Sequence, residues 1–326
     1  MVRECYIAIL DVGHGNCAVC FANSDVAVVD TGLGSSLLEF LAEKNIQELS
    51  TVFISHADND HIGGLIALLS SGTVAVRSVY LNPDAIKGSA VWDDLAFLLG
   101  QRDRTGDLAF NVNLTRGDSI ELGGGGIKLE ALAPDKYLVA KGAGSKDRKG
   151  RRLASNSMSV VVRVTTNDRS ILLPGDLDQI GLLNILEGED DIQAEILVFP
   201  HHGGAPGGNV EEFVDCLQRA VSPETVLFSI GRTSHNNPRP EVLARLRKND
   251  PNIKIQCTQL STNCRSTAVD KQPSYVSEIY SRGRESNACC AGTIVVTLCG
   301  STEPTPPEHL HAAFVDEITT NALCRR

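Results

Sequence analysis

Four potential metal ligands, His56, Asp58, Asp60 and His61, fall within six residues of the stretch Ser55-His56-Ala57-Asp58-Asn59-Asp60-His61-Ile62-Gly63-Gly64. Two imidazoles and two carboxylates in one small volume suit one or two divalent cations. A polar strand-to-helix turn capped by aspartate would account for one acidic residue and leave three groups unexplained.

The elements around the cluster must hold it in place. A β-branched run, Thr51-Val52-Phe53-Ile54, predicts a strand ending just before it, and Leu65 to Leu69 predicts a helix just after it. Upstream, Tyr6 to Leu10, Cys17 to Phe21 and Val26 to Val29 read as strands, the last running into Asp30-Thr31-Gly32. Ser36 and Glu39 have capping-box spacing and predict a helix from Leu37 to about Leu49, with Leu38, Leu41, Ile46 and Leu49 on its buried face. A strand at Val79 to Leu81, a helix near Val91 to Leu99 and a strand at Ile127 to Leu132 complete the first half.

The second half repeats this grammar without a strict repeat. Ser159 to Val164 and Ile171 to Leu173 predict a strand pair ending at Pro174-Gly175-Asp176, then a helix at Ile180 to Leu186. Ile196 to Phe199 ends at Pro200-His201-His202-Gly203-Gly204, and a helix follows around Val210 to Ala220. Val226 to Ile230 and a helix at Pro240 to Arg247 come next. In α/β layers, sites collect at strand C-termini, so the ends carrying His56 to His61, Asp176 and His201-His202 are candidates for one shared cleft.

The chain has 326 residues, 42% of them hydrophobic, enough for a substantial core. No apolar run reaches the length of a bilayer span, and the N-terminal run, Met1 to Asp11, is too short and too soon acidic for a signal peptide. The expectation is a cytoplasmic protein without membrane association. Its ten cysteines are accordingly expected to stay reduced or to bind metal rather than to form a disulfide framework. Cys257, Cys264, Cys289 and Cys290 are candidates for a structural zinc site, although their spacing departs from the usual short zinc loops; buried thiols are the competing reading.

A formal net charge of −10 is not the footprint of a broad nucleic-acid-binding surface, though acidic metal ligands contribute to it. One stretch runs the other way. Lys141 to Arg152 holds six basic residues against one acidic residue. It is either a solvated loop or an arm in which Lys146, Arg148, Lys149, Arg151 and Arg152 contact a phosphate backbone. The organisation expected is a hydrolase domain over 1–250, a cysteine-containing extension over 251–300 packed on it, and a proline-rich linker and C-terminal helix over 301–326. His309 and His311 on that helix are read as surface residues rather than a ligand pair.

Leu10-Asp11-Val12-Gly13-His14-Gly15-Asn16, Val29-Asp30-Thr31-Gly32, the His56 to Gly64 run, Leu173-Pro174-Gly175-Asp176 and His201-His202-Gly203-Gly204 together resemble the metallo-β-lactamase fold superfamily. Within it the chain is most similar to the hydrolase (nuclease) domain of ComEC-type DNA-uptake proteins, over roughly residues 5–250. The resemblance implies a four-layer αββα sandwich, an α/β fold, here followed by a cysteine-rich C-terminal extension. It also implies a dinuclear site at one edge. By motif, His56 and Asp58 serve one metal, Asp60 and His61 the other, and Asp176 bridges them. His201 or His202 completes the second metal, His201 being preferred, with His202 as a phosphate or leaving-group contact. Asp30, His14 and Asn156 support these ligands.

Two departures from the superfamily matter. The turn carries Asp58 where a histidine is common, and no histidine occurs between His61 and His201; Asn156 stands about where that ligand would be. The first metal site is thus oxygen-rich, which moves the expectation from zinc toward manganese or magnesium. In Thr233-Ser234-His235-Asn236-Asn237-Pro238, Asn237 takes the place of a histidine and His235 lies two residues earlier.

Two divalent cations (zinc or manganese, with magnesium as a further option) generate a nucleophile from water at neutral pH and stabilise charge on the attacked centre. The expected function is therefore a metal-dependent phosphodiesterase acting on DNA, with Asp60, Asp176, His202 and His235 as its catalytic residues. It would be a stand-alone relative of the competence nuclease domain, with partner proteins of a defence or DNA-processing system. The alternatives are a hydrolase of a small phosphodiester (phosphorylcholine-type or cyclic nucleotide) or lactone, and a non-catalytic binding module.

Overall fold

In a computed structural model that describes residues 5–167, 169–299, 305–320 and 322–325, alternate residues of each strand face different layers. Ile7, Ile9, Ala27, Val29 and Phe53 enter one apolar cluster, while Ala8, Leu10, Val26, Val28, Val52 and Ile54 enter another. These strands read as unbroken apolar runs because both faces are buried.

The first sheet has seven strands in the spatial order Ile294–Cys299, Cys5–Ile9, Ala18–Ala22, Asp25–Val29, Thr51–Ile54, Ser78–Leu81, Ala109–Asn111. The second runs Lys254–Cys257, Thr225–Phe228, Ile196–Val198, Ser170–Leu173, Val161–Thr165, Ile127–Ala133, Ser119–Leu122. Between them Ile9, Val29 and Phe53 meet Val162, Ile171, Leu173, Ile196 and Val198. Helices Ser36–Glu43, Asn59–Ser71 and Ala90–Thr105 cover the outer face of the first sheet through Leu37, Phe40, Leu65, Leu68, Leu95 and Leu99. Helices Gln179–Glu187, Val210–Val221 and Pro240–Asn249 cover the second through Leu182, Phe213, Leu217 and Leu246. The result is the expected αββα sandwich. Each buried Leu or Phe in these layers contributes about 1.5–3 kcal/mol relative to exposure.

Three differences from the sequence-based expectation have local causes. The first helix stops at Glu43 instead of running to Leu49: Asn45 is left-handed (φ 56°) and Ile46 N–H bonds back to the Leu41 carbonyl. Ile46 and Leu49 still pack on the same core, Leu49 from a short strand paired with Ala75–Val76, so their spacing mimicked a longer helix. The N-cap position is Ser35, whose hydroxyl donates to Glu39, rather than Ser36. Cys5 and Cys299, partners on adjacent antiparallel strands with Cα atoms 4.9 Å apart, form a disulfide, which corrects the expectation of reduced or metal-bound cysteines for this pair.

Residues 251–300 supply strands to both sheets, Lys254–Cys257 to the second and Ile294–Cys299 to the first. Of the predicted 301–326 segment, Glu308–Ile318 is a helix with His309 exposed and His311 buried, while positions 301–304, 321 and 326 lie outside the described residues, as do Met1 to Glu4 of the N-terminal run. Among the described residues no helix is long and apolar enough to cross a membrane.

Candidate metal centre

The turn after Thr51–Ile54 is fixed from both sides. Asp58 occupies the N-cap position of helix Asn59–Ser71 with extended backbone (φ −74°, ψ 142°), and its carbonyl accepts from His61 N and Ile62 N. Its carboxylate caps nothing. It is turned toward the cluster and to Lys87, whose Nζ lies 2.5 Å from Oδ1. Asp60 and His61 occupy the first helical turn, so the helix starts within the ligand run rather than after it. Close backbone approach seals the turn: a Cβ on Gly15 would sit 2.4 Å from the Asp60 carbonyl oxygen, and one on Gly64 2.2 Å from that of Thr31.

Asp176 follows the strand Ser170–Leu173 and faces the turn with both oxygens. Oδ1 lies 3.2 Å from His61 Nε2 and 3.5 Å from His202 Nε2. Oδ2 lies 3.1 Å from His201 Nδ1 and 4.0 Å from His56 Nε2. Asp60 Oδ2 joins the first set, 3.2 Å from His202 Nε2 and 3.9 Å from His61 Nε2, while Asp58 Oδ1 joins the second, 3.8 Å from His56 Nε2. Donor atoms of Asp60, His61, Asp176 and His202 all lie within 4.8 Å of one another.

His202, rather than the preferred His201, thus joins Asp60 and His61, and His201 lies on the other side of Asp176. Both histidines are left-handed (φ 52° and 55°), as is Gly203 (φ 76°), and this run throws successive imidazoles to opposite sides of Asp176. Left-handed geometry costs a non-glycine residue roughly 1–2 kcal/mol, and such strain collects at functional sites. His202 is buried among Asp60, His61 and Asp176; His201 is half-exposed beside Asn156, whose Nδ2 is 3.1 Å from its Nδ1.

The far sides of the rings are held by hydrogen bonds. His61 Nδ1–H donates to Asp30 Oδ2 (2.8 Å), and Asp30 also accepts from Ser55 N and Ser55 Oγ. His202 Nδ1–H donates to the Ser229 carbonyl (2.9 Å), and Ser55 Oγ lies 3.0 Å from His56 Nδ1. Each contact leaves Nε2 facing inward. His56 Nε2, His61 Nε2 and Asp176 Oδ1 are buried and make no hydrogen bond. Buried polar atoms without partners cost free energy, and these converge from two chain segments with the chemistry of a cation's ligands. The residues present fit divalent metal.

Electrostatics follow the same division. Burial alone would raise Asp176 and Asp60, but the neighbouring imidazoles, led by His202, hold both carboxyls below the usual range. Burial works to lower His61, yet Asp176 and Asp30 hold it well above the ordinary imidazole value. Burial and then His61 lower His56. His14 is lowered to about 4 by burial and then by His202; its Nε2 is 3.4 Å from Asp60 Oδ2.

A cavity of about 570 Å³ opens over the cluster, lined by Asp58, Asp60, Asp176, His201 and His202 and further by His14, His235, Asn237 and Arg239. His235 stacks near His14 with ring centroids 4.8 Å apart, so it and Asn237 share this wall. The basic stretch is elsewhere. Lys149 and Arg151 are paired with Glu187, Arg151 also with Asp147, and Arg148 lies over the Tyr137 ring. Lys146 bridges back to Arg152. Arg148, Lys149 and Arg151 line a separate cavity that shares no wall residue with the metal cavity. The structure places that stretch at a cavity of its own rather than on the wall of the metal cavity. Among the described residues, Lys87 reaches the cluster and Arg239 lines its cavity, and sequence reasoning missed both. Their signal was position: Lys87 follows the end of strand Ser78–Leu81, and Arg239 immediately precedes a helix opening on Pro240.

The candidate structural zinc set also changes. Cys289 turns away to Asp11 (Sγ to Oδ2 3.5 Å), while Cys264 and Cys290 gather with Cys324 around one apolar cluster, and Cys324 also packs on the cluster holding Cys257.

An αββα sandwich with a histidine and aspartate cluster at its shared strand ends defines a metallo-hydrolase. A family model described as "Metallo-beta-lactamase superfamily" matches residues 10–216, and the chain belongs to that superfamily. It is similar to "ComE operon protein 3" of Bacillus subtilis (strain 168), 28% identical over 213 residues, covering 65% of this chain and 24% of that protein. It is also similar to "Competence protein ComA" of Neisseria gonorrhoeae, 24% identical over 270 residues, covering 79% of this chain and 32% of that protein. Both are ComEC-type competence proteins, of whose length the chain spans about a quarter to a third. Among solved structures, the metallo hydrolase Igni18 of Ignicoccus hospitalis has a TM-score of 0.45 at 15% identity, covering 77% of this chain and 94% of that one. YhfI of Bacillus subtilis, a metallo-beta-lactamase fold protein, has 0.47 at 13%, covering 79% and 98%. At that distance the structural likeness carries no argument about chemistry.

Proposed function

We propose that the cluster binds two divalent cations and hydrolyses phosphodiester bonds, with DNA as the substrate. The observation that carries this reading is the division of Asp176, one oxygen facing His61 and His202 and the other facing His201 and His56. A single carboxylate so placed can bridge two cations. One would be held by His56, Asp58, His201 and Asp176 Oδ2, the other by Asp60, His61, His202 and Asp176 Oδ1. Each set offers two imidazoles and two carboxylate oxygens, but Asp58 and His201 of the first are more exposed than Asp60 and His202 of the second, so a cation there would keep more water, which favours manganese or magnesium, with zinc the natural occupant of the second.

When bound, such cations supply Lewis acidity at phosphoryl oxygens and a nucleophile from water at neutral pH. The chain's own residues position and neutralise. Asp30 and the Ser229 carbonyl lock the inward tautomers of His61 and His202. Arg239 and Lys87 offer positive charge to a bound phosphodiester, and His235, exposed on the cavity wall, donates a proton to the leaving oxygen. The similarity to competence proteins supports nucleic acid as the substrate class. The test is incubation with plasmid and single-stranded DNA in manganese. Cleavage lost in Asp60→Ala supports the proposal; no cleavage, with Asp60→Ala indistinguishable from the parent, defeats it.

A second reading, hydrolysis of a small phosphodiester or lactone, is favoured by the pairing of Lys149 and Arg151 with acidic neighbours, which offsets part of the basic stretch's charge in an acidic chain. Turnover of chromogenic phosphodiesters or lactones with DNA left intact would reverse the ranking. A metal analysis showing neither bound nor titratable cation would instead return a binding module.

A further inference from the structure

A second group of metal-competent side chains lies where the C-terminal segment closes over the edge of the second sheet. Cys257 ends the edge strand Lys254–Cys257. Cys290 sits across from it, its N–H donating to the Thr258 carbonyl while Ala291 N–H donates to that of Cys257. Cys264 lies in the turn after Ser261, and its carbonyl accepts from Thr319 Oγ1 (2.9 Å). Cys324 lies in the turn Leu323–Arg325, with its carbonyl accepting from Arg247. Helix Glu308–Ile318 brings buried His311 to the same place, its Nε2 3.5 Å from Cys290 Sγ. Cys264, Cys290 and Cys324 share one apolar cluster with Leu260, Phe314 and Ile318.

The arginines around this group are an independent observation. Buried Arg232 donates to the carbonyls of Leu260, Arg265 and Thr267, Arg265 to that of Ile318, and Arg247 to those of Ile253 and Cys324. Among the described residues none of the three is paired with a carboxylate, whereas Arg245 and Arg151 are. Arg232 is buried and Arg247 and Arg265 are half-buried, and a guanidinium withdrawn from water is costly without an opposite charge nearby. A zinc ion held by four thiolates carries net negative charge and would provide it.

We infer that Cys257, Cys264, Cys290 and Cys324 form a structural zinc site that fastens the C-terminal helix to the second sheet. His311 stands beside it as a hydrogen-bond donor to the Cys290 sulfur, the kind of outer contact that steadies a metal ligand. The sulfurs are neighbours rather than a closed sphere, since among the described residues the one group of three or more with all donor atoms within 4.8 Å is that of Asp60 and its partners. Zinc binding would draw the four sulfurs into one sphere and release the thiol protons.

The experiment uses the full chain and reads zinc independently of hydrolysis. A mercurial reagent releases thiolate-bound zinc to a chromogenic chelator, and cobalt substitution gives near-ultraviolet thiolate-to-cobalt absorption that a histidine and carboxylate site lacks. The expected result is one equivalent of mercurial-released zinc and a thiolate band in the parent and in Cys289→Ser, both lost in Cys290→Ser and Cys324→Ser. Absence of both signals in the parent overturns the inference, as does equal loss in Cys289→Ser. The parent's cobalt spectrum decides the matter even where a cysteine variant fails to fold, and Asp60→Ala retaining the thiolate band separates this site from the proposed catalytic one.

Discussion

Lys87 Nζ rests 2.5 Å from Asp58 Oδ1, on the carboxylate that stands at a helix N-cap position without capping the helix. The same oxygen lies 3.8 Å from His56 Nε2, so the ammonium occupies a direction in which Asp58 would meet a cation. Lys87 therefore competes with metal for Asp58. Both side chains are partly exposed, so the effect is screened to about 1 kcal/mol, or roughly fivefold. Lys87→Gln is expected to tighten manganese binding at the weaker of two sites by that factor, read by calorimetric titration. Unchanged or weaker binding would show that Lys87 does not oppose the cation.

Asp11 ties the first turn to the C-terminal segment. It accepts from Gly13 N, Gly283 N, Gln259 Nε2 and the Cys289 thiol while fully buried. Asp11→Asn places an amide donor among donors and is expected to cost about 1–3 kcal/mol in urea unfolding. Burial raises the carboxyl's pKa despite these bonds. The sign follows: a folded-state pKa above the unfolded value means the folded chain takes up the proton first as pH falls. Stability of the parent relative to the variant is thus greatest near and below pH 3.8 and declines as pH rises through the folded value. A parent-to-variant difference that instead grows with pH over this window would contradict the assignment.

The spacing of His56 to His61 and the placing of Asp176 and His202 at strand ends were legible because a strand terminus fixes direction and the ligand types are rare together. The choice between His201 and His202 was not, since it depends on three consecutive left-handed residues that no pattern announces. The surroundings of the basic stretch were hidden for another reason. Lys149 and Arg151 are neutralised by Glu187, on a helix more than thirty residues on, and charge counting along the chain does not see that partner. Cys5 and Cys299 are likewise 294 residues apart and meet only through strand register.

Arg239 and Arg151 allow the two cavities to be told apart. Arg239 lines the metal cavity, whereas Arg151 spends its guanidinium on Asp147 and Glu187. Arg239→Ala is expected to lower kcat/KM on DNA by about tenfold and to reduce the salt dependence of binding by about one phosphate contact. Arg151→Ala should leave both nearly unchanged and lower thermal stability slightly, by about 0.5–1 kcal/mol, as expected for a partly exposed pair. Equal losses of activity in the two variants would place the substrate across both cavities.

The two adjacent histidines make the sharpest test of the centre. His202 Nε2 faces Asp60 and Asp176 Oδ1, and His201 Nδ1 faces Asp176 Oδ2 and Asn156. Asparagine tolerates left-handed backbone, so His201→Asn and His202→Asn both keep the turn. Each variant should lose one cation and retain the other, at a cost in affinity beyond the roughly 10–100-fold typical of an outer contact. The retained ion distinguishes them. His202→Asn should keep the more exposed set of His56, Asp58 and His201 and bind manganese weakly, while His201→Asn should keep the set of Asp60, His61 and His202, whose imidazoles are buried. Metal stoichiometry after dialysis reads the difference directly. Loss of both ions in either variant would mean that Asp176 does not divide two sites, and loss of neither that the imidazoles are not ligands.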